Sequence, residues 1–172
     1  DPVLVTAAAT VQTAAETLDA WAADASDETA TETLQTTADR LAEAFETIST
    51  ELEGDGNDVA DLEPPFLVLD AEGDVERVAA GTLGLALVLD RLFLQVVSFF
   101  VNEADDRRAD LFRDRRADTD AMLADGTDAL DELCDGDDWD RAEESACAVL
   151  EAAYEDYANR LEAMGFDPKP IC

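Results

Sequence analysis

Histidine is absent from the 172 residues, and lysine occurs once, as Lys169. Without imidazole the chain cannot build a His-based triad, a zinc site with His ligands or a His-held haem. Cysteine appears three times, at Cys134, Cys147 and Cys172, with no C-x-x-C spacing. An odd number cannot pair completely within one chain, so free thiols in a reducing compartment are expected. The 11 basic residues face 43 acidic ones, for a net charge of −32. That balance excludes the basic footprint that nucleic acid or an anionic membrane surface requires. The opening "DPVLVTAAATV" also lacks the basic start of a secretory signal, and a cytoplasmic location is expected.

What the chain has in quantity is carboxylate and apolar side chain. Hydrophobic residues make up 47%, enough to offset chain entropy with a buried core, and residues 1–172 are within the usual size of one domain. So many like charges repel one another, but at about 1 M salt the Debye length is only about 3 Å and the repulsion nearly vanishes. The surface therefore resembles those of proteins from extreme halophiles, and hydrated K⁺ or Na⁺ is expected around it. In such a chain a single exposed acid is explained by solvation alone.

Periodicity points to an all-α bundle. Asp1-Pro2 fits a cap and first helical position, and Leu4, Val11, Leu18 and Trp21 form one face of a helix over about residues 2–24. A second helix begins near Ser26 or Asp27 and aligns Leu34, Leu41, Phe45, Ile48 and Leu52. "GDGNDVADLEPP", residues 54–65, ends it and opens a long crossover through Phe66–Leu69, which is too short a run to make a sheet. Residues 75–125 hold no proline and are expected as two helices, with Asn102 as the cap of the second. "DGTD" at 125–128 and "CDGDD" at 134–138 mark two breaks around a short helix. A last helix starts near Asp138, carries Trp139, Ala142, Ala146, Leu150, Ala153, Tyr157, Leu161 and Met164, and stops at Gly165. The total is an up-and-down type bundle of five long helices and one short, with the long crossover after the second. In outline that order resembles the ferritin-like architecture. The Glu-x-x-His ligands of those di-iron proteins are missing, so the resemblance implies topology and no site residue.

Two features stand out as candidate sites. The first is the helix 75–101, apolar on most sides but interrupted by Asp90-Arg91, which makes it a central core helix rather than a membrane span. Steps of four and three along it give Arg77, Gly81, Gly84, Val88, Arg91, Gln95, Ser98 and Asn102, a polar seam without one acid. A solvent face in this chain would carry acids, so the seam is expected to meet protein: either acids of the next helix or a second subunit.

The second feature is "DRRADLFRDRRAD", Asp106–Asp118, which holds five of the 11 basic residues. Each arginine has an acid three or four residues away: Glu103 and Asp110 for Arg107, Asp105 for Arg108, Asp110 for Arg113, Asp118 for Arg115 and Asp120 for Arg116. The segment is therefore no basic patch. Its only large apolar residues between Glu103 and Asp120 are Leu111 and Phe112, so contacts other than a hydrophobic stripe are expected to hold it.

The functional expectation is a non-enzymatic bundle, without cofactor, acting by self-association or docking on another protein. The interface candidates are Arg77, Gly81, Gly84, Arg91, Gln95, Ser98, Asn102, Arg107, Arg108, Leu111, Phe112 and Arg115. The alternative is a Mg²⁺-dependent hydrolase or transferase acting on a phosphorylated small molecule, with Asp106 and Asp110 as metal ligands.

Overall fold

The computed structural model describes residues 2–52 and 71–163, and within them every regular element is a helix. α1 spans Pro2–Asp24 and α2 Glu28–Ser49. α3 runs Asp74–Asn102 as one continuous helix, α4 is Asp106–Leu133 and α5 is Asp138–Ala163. The fold class is the all-α bundle that the hydrophobic stripes imply. The crossover run Phe66–Leu69, the stop at Gly165, Met164, Lys169 and Cys172 lie outside the described residues.

The two hairpins α1–α2 and α3–α4 form the body of the bundle, and α5 packs against the first half of α3. Leu4, Val11, Leu18, Leu34, Leu41 and Ile48 are buried, so the first two stripes face the core as their spacing requires. Asp27 caps α2 by accepting from the amides of Thr29 and Ala30. Asp74, at the start of α3, accepts from the amides of Ser26 at 3.1 Å and Asp27 at 2.7 Å, so one carboxylate ties the α1–α2 turn to the next hairpin.

Two expected boundaries are corrected. Asn102 is the last residue of α3 rather than a cap. Ala104 then turns the chain with φ 56°, and Asp105 caps α4 by accepting from the Arg108 amide. The break at "DGTD" does not occur: α4 runs through Gly126 to Leu133, so the expected short helix is the last part of a long one. The reason is tertiary. A Cβ at Gly126 would lie 2.0 Å from Thr82 Oγ1, so glycine is there to admit a buried threonine from α3.

Thr82 belongs to a π-helical stretch, Ala79–Gly84, inside α3. Its backbone bonds run i→i+5 and admit an extra residue, which rotates the helix on either side by about a residue's worth, roughly 100°. Gly81 is thereby set against Leu18 of α1 and Leu34 of α2, while Gly84 is set against Ala146 and Val149 of α5. All four other helices converge on this one segment.

Candidate functional site

The seam read from α3 is split by the structure. Its first part faces protein of the same chain: Gly81 and Gly84 are buried under α1, α2 and α5. Arg77 donates to the Ala71 carbonyl and to Asp24 at 2.8 Å, with its guanidinium over the Trp21 ring. Among the seam's two expected partners, the acid of a neighbouring helix is realised here, although α1 supplies it rather than the next helix. Its second part, Arg91, Gln95, Ser98 and Asn102, is exposed. The π turn and the placement of α5 separate the two halves.

Around that exposed half, the outer sector of α3 contains Leu87, Phe99 and Val101 at 42%, 37% and 47% exposure, with Val88 and Leu94 half-buried beside them. These nine residues span roughly 160° of the circumference at about 100° per residue. None is an acid. The other four helices all place carboxylates outward, such as Glu16 and Asp19, Glu32 and Glu46, Asp110 and Asp114, and Glu143 and Glu151. The one acid of Leu85–Asn102, Asp90, lies at the sector's edge and is held at 2.7 Å by Arg116 of α4.

Arg91 occupies the middle of this sector. Every other arginine whose side chain is described makes an ion pair: Arg40 with Asp125, Arg77 with Asp24, Arg107 and Arg108 with Glu51, Arg113 with Asp110, Arg115 with Asp118, Arg116 with Asp90, and Arg141 with Glu76 and Asp138. Among the described residues Arg91 has no such partner.

The length and hydropathy of α3 also suit a membrane span, but 44% of its most apolar stretch is buried within the bundle. Its apolar character on that side comes from Leu85, Leu89, Phe93, Val96 and Phe100, which build the core.

The arginine-rich repeat behaves differently from its local arithmetic. Three near pairs form, Arg108 with Asp105, Arg113 with Asp110 and Arg115 with Asp118. Arg107 instead passes over Glu103 and Asp110 to reach Glu51 at the end of α2, and Arg116 passes over Asp120 to reach Asp90. α4 is therefore clamped to α2 and to α3 by long-range pairs. Nor does it lack an apolar anchor. Phe112 is fully buried with its ring 5.8 Å from Phe93 and 6.1 Å from Phe100, and Met122 and Leu130 follow below it. Leu111 is half-buried. Thus Arg107, Arg108, Arg115 and Phe112, expected as interface residues, have partners within the chain.

Glu51 is the centre of the upper clamp. Arg107 and Arg108 both donate to its carboxylate, Arg108 also donates to the Glu51 carbonyl, and the Arg108 guanidinium lies over the Phe100 ring. The hydrogen bond from Arg107, aided by that from Arg108, holds the Glu51 carboxyl below its ordinary 4.5, against the upward push of burial. A carboxyl lowered in the folded state contributes stability above its unfolded pKa and loses it as pH falls through the folded value. Glu51→Gln is therefore expected to reduce the loss of stability as pH falls below the ordinary 4.5 of a glutamate. Urea unfolding at a series of pH values checks this, and an undiminished acid loss in the variant would refute it. Asp118 is the opposite case: burial raises its carboxyl, with Arg115 and Arg40 opposing and Glu43 and Asp114 reinforcing the rise. It adds stability at low pH and surrenders it as pH rises through its folded value.

Asp106 and Asp110 lie one turn apart on the exposed side of α4, and Asp110 is engaged by Arg113 at 2.5 Å. No group of three or more potential metal-ligating side chains is assembled among the described residues. Cys134 is buried, which pushes its thiol up, and Cys147 is exposed; both are free. No family model, curated protein or solved structure matches the chain.

Proposed function

We propose that this chain is a non-enzymatic helical bundle of a high-salt cytoplasm that acts by protein association, most simply as a homodimer, through the outer sector of α3. The observation that supports it is Arg91, without an ion-pair partner among the described residues, at the centre of an acid-free sector that also presents Leu87, Phe99 and Val101. A solvated face of an acidic protein has no use for three exposed large apolar side chains and an unneutralised guanidinium. A protein interface does, since it removes carboxylates from its core and retains apolar side chains and arginine.

The charge also selects among partners. Two copies of a −32 chain repel over most orientations, whereas contact through the acid-free sector brings the fewest carboxylates together. The association is expected to strengthen as salt rises, because apolar burial is reinforced and the residual repulsion is screened. Arg91→Glu puts a carboxylate at the centre of each face, and is expected to weaken self-association in about 2 M KCl by about tenfold or more, equivalent to about 1.4 kcal/mol. Sedimentation equilibrium over a range of protein concentrations measures it. An Arg91→Glu variant that associates like the parent would remove the sector from the contact.

A further inference from the structure

The association reading leaves open how two copies face one another, and the inference that follows rests on it. We infer that the second copy packs antiparallel, with α3 against its counterpart across a two-fold axis near Leu94 and Gln95, and with Asp110 and Arg113 of α4 completing the contact.

Three observations lead there. The exposed sector runs from Leu87 to Asn102, about 22 Å at 1.5 Å per residue, and its midpoint falls at Leu94–Gln95. Antiparallel pairing about that midpoint places Leu87 against the second copy's last helical turn, and Arg91 against its Ser98, one turn from its Asn102. The C-terminal end of a helix carries partial negative charge, so each Arg91 guanidinium meets a favourable end. A parallel pairing would instead stack Arg91 on its own image in the middle of the interface, where each charge would be desolvated beside another of the same sign.

The second observation is size. A single helix face about 22 Å by 10 Å is well short of the roughly 800 Å² per partner of a standard interface. Flanking elements have to join it.

The third is what flanks it. Arg116 of α4 meets Asp90, and Phe112 packs on Phe93. These two contacts set the level of α4 against α3, so Leu94–Gln95 lies beside Leu111–Phe112. A two-fold at that level brings the two α4 helices alongside each other in opposite directions. Asp110 and Arg113, exposed and paired within the chain at 2.5 Å, then lie opposite Arg113 and Asp110 of the second copy. Two local pairs become one four-membered network of alternating sign. This is the role left to "DRRADLFRDRRAD" after its clamps to Glu51 and Asp90 are accounted for.

Cysteine cross-linking in the full chain tests the arrangement, with Cys147→Ser and Cys172→Ser removing the other thiols that could react and far-UV circular dichroism confirming helix content. In about 2 M KCl under mild oxidation, Leu94→Cys is expected to form a covalent dimer in most of the protein, because the axis brings this residue, which projects between the outer face of α3 and α4, to its own image within disulfide reach. Leu87→Cys and Asn102→Cys are each expected to give little dimer alone and several-fold more when mixed. Efficient self-linking of Leu87→Cys and of Asn102→Cys, with no gain on mixing, would overturn the antiparallel order. A sedimenting dimer in which none of the three links would overturn the α3 contact while leaving self-association standing, and a monomeric parent would overturn association itself.

Discussion

Phe112→Ala is expected to cost about 3–5 kcal/mol of folding stability, the range for deleting a fully buried aromatic ring. With domain stabilities of about 5–15 kcal/mol, that removes a large fraction of the total. The magnitude follows from position. Phe112 has no exposure, and its ring is shared between Phe93 and Phe100 of α3. Its neighbour Leu111, half-buried, is expected to cost clearly less when cut to alanine. Chemical unfolding in about 2 M KCl, followed by far-UV circular dichroism, gives both values. Equal costs at the two positions would mean that the aromatic trio is not what anchors the start of α4, leaving the Glu51 and Asp90 clamps to do so.

That contrast bears on how much of the fold could be read from residue order. The first two helices were legible because their apolar residues recur at helical spacing and their ends carry cap residues, Asp27 above all. The start of α5 after Gly136, with φ 54°, was legible for the same kind of local reason. The errors share another cause. "DGTD" has the composition of a turn, but glycine at 126 serves a contact with Thr82, more than 40 positions earlier in the chain. Helix-breaking composition and close helix packing select the same residue, and only the tertiary partner distinguishes them. Asn102 was a reasonable cap by type, yet the left-handed Ala104 moves the boundary to Asp105.

The candidate site shows the same division. That an acid-free seam existed was visible in the sequence. That it divides at the π-helical stretch was not, because a constant step of three and four assumes one helical pitch. Leu87, Phe99 and Val101 were missed for the same reason: on an apolar helix, periodicity does not say which side the neighbours cover. Comparing the outward residues of all five helices for acids would have found the sector, once their burial was known. The arginines were paired locally because sequence shows only local acids, whereas Arg107 and Arg116 reach carboxylates 56 and 26 residues away.

Leu94→Asp is expected to have the largest effect on association. Leu94 lies at the midpoint of the sector and is half-buried within the single chain. The substitution therefore leaves the core intact but buries two carboxylates at the centre of a dimer. Burying an unpaired charge costs several kcal/mol, and about 3 kcal/mol is more than a hundredfold in affinity. Salt rescues this loss poorly, since desolvation and not long-range repulsion dominates it. Folding stability, read from the same unfolding experiment as for Phe112→Ala, is expected to change by less than about 1 kcal/mol.

The most direct measurement is the mass in solution by light scattering, for the parent chain and Leu94→Asp side by side in about 2 M KCl. The parent is expected at twice its 18.5 kDa and Leu94→Asp at that single-chain mass. A parent chain of single mass, or a Leu94→Asp variant that remains dimeric, would contradict the assignment of the outer face of α3 as the association surface.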